Sequence, residues 1–112
     1  MIDSILQTSG IPYRQGRFYS PPAETYAIYF DDQNLTGPDI PPVGVPCPLY
    51  VLHDGTIELY EPTTDPEAEA ALEAALLAHG VTVWDKRDRY WLKDIQRYQV
   101  VYEISYTTKR RA

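Results

Sequence analysis

Cysteine, histidine and long apolar runs are what this 112-residue chain has least of. The single cysteine, Cys47, has no second cysteine to bond within the chain, which fits a reducing cytoplasm. It stands between Pro46 and Pro48, so neither a helix N-terminus nor a cationic neighbour lowers its pKa for nucleophilic work. A zinc-type centre needs several Cys or His ligands at short spacing, and His53 and His79 stand far apart. No run approaches the ~20 apolar residues that cross a bilayer. Met1-Ile2-Asp3-Ser4 has no basic region and no long apolar run, so no signal peptide is expected. There is no Gly-rich phosphate loop. Asp31-Asp32 followed by Asn34 lacks the Gly and terminal Glu of a calcium loop and reads as solvated acids before a turn. His53 beside Asp54 is a poor base–orienter pair, because adjacent strand residues point to opposite faces. His79 suits the last turn of a helix, where cations meet the dipole. No catalytic set, metal or cofactor is therefore expected.

Basic charge is also scarce over most of the chain. Residues 1–85 hold Arg14 and Arg17 against 13 acids, a net of −11, whereas residues 86–112 hold eight cations against Asp88, Asp94 and Glu103, a net of +5. The total of −6 argues against general nucleic-acid binding. The polarity admits two readings. It can serve a head-to-tail ring, in which unlike surfaces of neighbouring copies meet. It can equally be consumed inside one subunit, with Arg89 or Lys93 on the helix acids.

What is present reads as one domain with an α+β fold: a mostly antiparallel sheet of about four strands, one main helix over 67–79 packed on it, and a short N-terminal helix. Asp65 suits the N-cap, Pro66 the first helical position and Gly80 the stop. Ala68, Ala71, Leu72, Ala75 and Leu76 make the apolar face, while Glu69 and Glu73 are expected to face water. Ile2, Ile5 and Leu6 mark the short helix. Arg14 to Tyr19 reads as an irregular or edge-strand segment. Tyr26 to Phe30 is a strand, with Tyr26, Ile28 and Phe30 on one face. Leu49 to Glu61 is β-rich, with Asp54-Gly55 as a hairpin turn or a bulge. Val81 to Trp84 is a strand. Trp84 to Trp91 is a charged turn through Asp85 to Arg89. Arg97 to Thr107 is a long strand with Tyr98, Val100, Tyr102, Ile104 and Tyr106 on one side. Residues 31–48, with Asp39, Pro41, Pro42, Val43 and Val45, read as a mobile Pro-rich loop. Residues 108–112 read as a frayed basic tail.

Ten tyrosines mostly serve sheet packing. Tyr13, Phe18, Tyr19 and Tyr29, with Lys86, Arg87, Arg89 and Lys93, are the candidate interface residues.

The blocks Gln15 to Tyr26, Ile57 to Pro62 and Glu67 to Leu76, then Arg89-Tyr90-Trp91 and Gln99 to Glu103, carry a likeness over most of residues 11–108. The chain resembles small head–tail morphogenesis proteins of long-tailed phages and prophages, of the tail-terminator or tail-completion kind. That resemblance implies a non-enzymatic virion subunit, in the host cytoplasm before assembly and at the head–tail junction after it. It implies a ring, possibly of six copies, whose partners are the tail-tube protein and the head-side connector, with no membrane and no specific nucleic acid. The alternative is a small acidic protein-binding module that inhibits a host factor.

Overall fold

In a computed structural model, which describes residues 1–35 and 50–109, two helices cover one face of a six-stranded mixed sheet. In chain order the elements are α1 (Ile2–Ser9), β1 (Tyr13–Gln15), β2 (Tyr26–Leu35), β3 (Tyr50–Glu61), α2 (Pro66–Ala78), β4 (Val83–Lys86), β5 (Tyr90–Leu92) and β6 (Arg97–Lys109). The strand order is β1-β2-β3-β6-β4, and β5 also pairs with β6. Only β1 and β2 run parallel; the other pairs are antiparallel.

The expectation of about four strands is corrected to six, because two three-residue pieces, β1 and β5, join the sheet. Tyr13–Gln15, which overlaps the segment read as irregular or edge strand, is an edge strand paired with Ala27 to Tyr29. The region from Trp84 to Trp91 is not a turn. Lys86 faces Tyr102 and Tyr90 faces Gln99, so three residues of this edge span two of β6. That is a β-bulge, which bends an edge strand without reversing it, and the Arg87 amide keeps hold of the Val101 carbonyl at 2.8 Å. The reversal comes later, at Lys93 to Gln96, where Gln96 adopts φ 51°. Three-residue strands are too short to show a period, so only their neighbours reveal them.

β3 is one unbroken strand, neither hairpin nor bulged. Its pairing holds one register along β2 and one along β6. Gly55 is there for space: a Cβ at that site would lie 2.5 Å from the Ile2 Cδ1 and 3.2 Å from the Phe30 carbonyl oxygen. The glycine lets α1 lie against the sheet. β2 continues through Asp31 to Leu35, so the first five residues of the expected loop are strand. Residues 36–48 of that loop, with Asp39, Pro41, Pro42, Val43 and Val45, lie outside the described residues. β6 runs on to Lys109, taking in the start of the expected tail, and residues 110–112 also lie outside.

The main helix forms as its sequence dictates. The Asp65 carboxylate accepts the Ala68 amide at 3.1 Å and the Thr25 hydroxyl at 2.6 Å, which ties the entry to β2 to the helix start. Gly80, at φ 76°, ends it; its amide bonds the Leu77 carbonyl, and the Val81 amide the Leu76 carbonyl. Leu72, Ala75 and Leu76 meet Ile2, Ile5 and Leu6 of α1 and Ile57, Leu59, Val100, Tyr102 and Ile104 of the sheet in one core. Tyr98, Val100, Tyr102, Ile104 and Tyr106 share the helix-covered face with Ile57 and Leu59, as the alternation of β6 requires. Tyr26, Ile28 and Phe30 share the opposite, open face.

Candidate functional site

The most concentrated chemistry lies where α2 crosses the bulged edge. Glu69, in the first turn of α2, is 3 % exposed, and Glu61, at the end of β3, is fully buried. This corrects the expectation that Glu69 faces water. The bulge supplies the reason: it turns Lys86 and Arg89 inward over the helix start. Lys86 Nζ lies 2.6 Å from Glu69 and 3.2 Å from Glu73. Arg89 binds Glu69 and reaches Glu61 at 3.3 Å. The Tyr102 hydroxyl donates to Glu73 at 2.9 Å.

The two carboxyls at the centre are hydrogen-bonding neighbours, and they divide the charge unequally. Burial, with Glu69 alongside, pushes Glu61 up to about 7. Burial acts on Glu69 too, but its bonds to Glu61, Lys86 and Arg89 outweigh it and hold its pKa below the ordinary value. Glu61 Oε2 is buried without a hydrogen-bond partner, which disfavours the charged form as the upward shift does. Burial disfavours the Lys86 charge, yet the carboxylates of Glu69 and Glu73 raise its pKa. Burial and the bond to Glu73 keep the Tyr102 phenol protonated far above its usual range.

A carboxyl pair with separated pKa values is a pattern of acid–base sites. A reacting group must also be reachable. Glu61 and Glu69 line none of the cavities described here, and both are sealed from water. The cluster fastens α2 to the sheet edge. Among the described residues no group of three or more His, Cys, Asp or Glu could hold a metal ion, and no helix is long and apolar enough to cross a membrane.

The histidines are placed as packing groups. His53 stacks on Tyr106 at 4.7 Å with rings 2° from parallel, while the neighbouring Asp54 accepts from Ser105 at 2.8 Å on the opposite face. His79 caps α2 and meets the Thr8 hydroxyl at 2.8 Å, joining the two helices.

The candidate interface residues divide between the two edges of the sheet. Tyr13 packs against the core, 6.1 Å from Tyr29. Phe18 sets its edge on Tyr26 at 5.2 Å, and Arg14 lies over the Phe18 ring. Tyr19 is 87 % exposed beneath the Arg17 guanidinium. These side chains gather near β1. At the opposite edge, Lys86 and Arg89 are held in the buried cluster. Arg87 is exposed and pairs with Glu103 at 2.8 Å and Asp85 at 3.6 Å. Lys93 is exposed in the β5–β6 turn.

Three exposed side chains on the β5–β6 hairpin escape a sequence reading: Tyr90, Trp91 and Ile95, at 62, 50 and 45 % exposure. Their signal is an aromatic pair beside a run of charge, which is visible only once the bulge places β5 on β6. The open face of the sheet adds a cross-strand row of Tyr26, Tyr60, Gln99 and Tyr90. Tyr26 and Tyr60 stack at 5.1 Å. Burial and a bond to Glu58 push the Tyr60 phenol up to about 12.

No protein-family model matches this chain, and no characterised protein matches it in sequence.

Proposed function

We propose that the chain is a non-enzymatic virion assembly protein of a phage or prophage, a ring-forming subunit of the tail-terminator or tail-completion kind. The observation that carries this reading is the sheet. It has one face sealed by helices and two unlike edges, and the concentrated charge cluster among its described residues is spent on internal fastening. Such a body offers surfaces to partners rather than a reaction centre. In the proposed role, copies associate edge to edge around the tail axis. The ring then meets the tail tube on one side and the head connector on the other.

Deletion of the coding sequence from an inducible prophage that carries it tests the reading. The expected lysate holds separate heads and tails, with tails of unregulated length if the step is termination. Normal infectious virions after deletion would refute the proposal. Capture of a host enzyme by the tagged chain, with virions unaffected, would favour the inhibitor alternative.

A further inference from the structure

The bulged edge of the sheet is tied to α2 by charge and has little apolar hold on the core. From Thr82 to Lys93 no residue is buried. Trp84 is half-buried, 5.7 Å from Tyr102, and gives β4 its contact with the core. Val83, Tyr90 and Trp91 are exposed. β4 pairs with β6 over four residues and β5 over three, and between them the Arg87 amide bonds the Val101 carbonyl. Segments with few buried apolar contacts open locally, well short of global unfolding. What closes this one onto α2 is Lys86 and Arg89.

The charges in that joint do not balance when every acid is ionised. The joint gathers Glu61 from the end of β3, Glu69 and Glu73 from α2, Lys86 from β4, Arg89 from the bulge and Tyr102 from β6. Asp65, at the start of α2, is engaged by the Ala68 amide and the Thr25 hydroxyl. Tyr102 stays protonated, so three carboxyls meet two cations. Glu69 touches both cations, and Glu73 holds Lys86 and the Tyr102 hydroxyl. Glu61 is the least well served. It is fully buried, Arg89 reaches one of its oxygens at 3.3 Å, and the other has no hydrogen-bond partner among the described residues. A sealed carboxyl in excess over the cations is the group that keeps a proton.

We propose that Glu61 is a proton-operated latch for the bulged edge: protonated, it leaves Lys86 and Arg89 balanced and β4 closed on the start of α2; ionised, it loosens that edge while the helix-covered core stays closed. Loss of the proton seals one uncompensated negative charge in the joint. Opening the edge lets water reach it, so the open form gains weight as pH rises. A carboxyl more basic when sealed than when hydrated favours the closed form at low pH. Opening should therefore increase between about pH 5 and 7 and level off above. Leu72, Ala75 and Leu76 are seated in a core built by α1, β3 and β6, so α2 keeps its place when the edge opens. The latch does not depend on the assembly reading above.

Amide hydrogen exchange of the full chain tests it. The Arg87 amide, on the bulge, reports edge opening, and the Leu59 amide, opposite Val100 in mid-sheet, reports global unfolding. After correction for intrinsic exchange rates, Arg87 protection should fall at least tenfold from pH 5 to pH 7.5. Low urea should leave Arg87 exchange unchanged, whereas Leu59 exchange should quicken steeply with it. In Glu61→Gln, neutral at every pH, Arg87 protection should stay within about threefold over the same range. Protection independent of pH in the wild type, or an undiminished fall in Glu61→Gln, overturns the proposal. So does Arg87 exchange that follows Leu59 in urea, since the edge then opens only with the whole fold. A carbon-13 titration of the Glu61 carboxyl in the wild type decides the matter if the Gln variant does not fold. A midpoint near 7 supports the latch, and one in the ordinary carboxylate range overturns it.

Discussion

Removing Glu69 is the perturbation that separates the structure from its sequence. A helix-surface glutamate changed to alanine moves stability by less than ~0.5 kcal/mol. Here Glu69 is 3 % exposed and holds both Lys86 and Arg89. Breaking a buried pair by deleting one partner costs about 3–5 kcal/mol. The cations keep 36 and 33 % of their side-chain surface in water, so they rehydrate in part and the figure must be discounted. Loss of an acid from the first helical turn adds ~0.3–1 kcal/mol, and the better helix propensity of alanine returns a few tenths. Glu61 also loses a carboxylate neighbour, which eases its own burial. The balance is a loss of about 2 kcal/mol for Glu69→Ala at pH 7. Urea titrations of wild type, Glu69→Ala, Arg89→Ala and the double variant measure it. The cycle should return a coupling of about 1–2 kcal/mol between the two residues. A cost under ~0.5 kcal/mol with additive single effects would show that the cluster fastens nothing.

Three further outcomes follow from the same geometry. The folded pKa of Glu61 is raised to about 7, so its stabilising contribution is complete below the unfolded value near 4.5 and is lost as pH rises through 7. Glu69 is shifted the other way, so stability should peak near pH 5; Glu61→Gln should flatten the fall between pH 5 and 8, gaining about 1–3 kcal/mol at pH 8, and a wild type equally stable at both pH values would contradict this. Leu72→Ala or Leu76→Ala, each fully buried, should cost about 2–5 kcal/mol in urea, and a loss no larger than that of Leu77→Ala would refute the face assignment. Gly55→Ala should cost about 1–3 kcal/mol through its clash with Ile2 and the Phe30 carbonyl, and Ile2→Ala should then cost less in that background than in wild type; strictly additive losses would deny the close approach.

The helix was legible because its signals are local. Asp65, Pro66 and Gly80 act within a turn of themselves, and Leu72 and Leu76 repeat at the helical period. The long strands were legible because Ile57 to Glu61 and Tyr98 to Tyr106 alternate. The rest depends on pairing. Tyr13–Gln15 and Tyr90–Leu92 become strands only because β2 and β6 stand beside them. Gly55 carries both turn and bulge signals, and only the presence of Ile2 above it shows that the glycine serves packing. Glu69 looked exposed because nothing in the helix predicts an inward-turned edge. The bulge that makes it buried is one residue of mismatch between two ladders, and that cannot be read from either strand alone.

The same cause weakens the charge argument. Along the sequence the first 85 residues are acidic and the remainder basic, which suggests an acidic surface meeting a basic one. Folding spends much of that contrast within the subunit. Lys86 and Arg89 go to Glu69, Glu73 and Glu61, and Arg87 goes to Glu103 and Asp85. The charges left without ion pairs at the two edges are mixed: Arg14, Arg17 and Glu24 at one, and Asp88, Asp94, Lys93 and Arg97 at the other. Little contrast is therefore left for electrostatic steering between copies. Such steering as remains is screened beyond ~8–10 Å at physiological salt, so between copies it would set orientation and leave adhesion to apolar contact. Raising salt should accordingly slow association more than it speeds dissociation. A salt effect confined to the dissociation rate would place the charges inside the contact and contradict this division of labour.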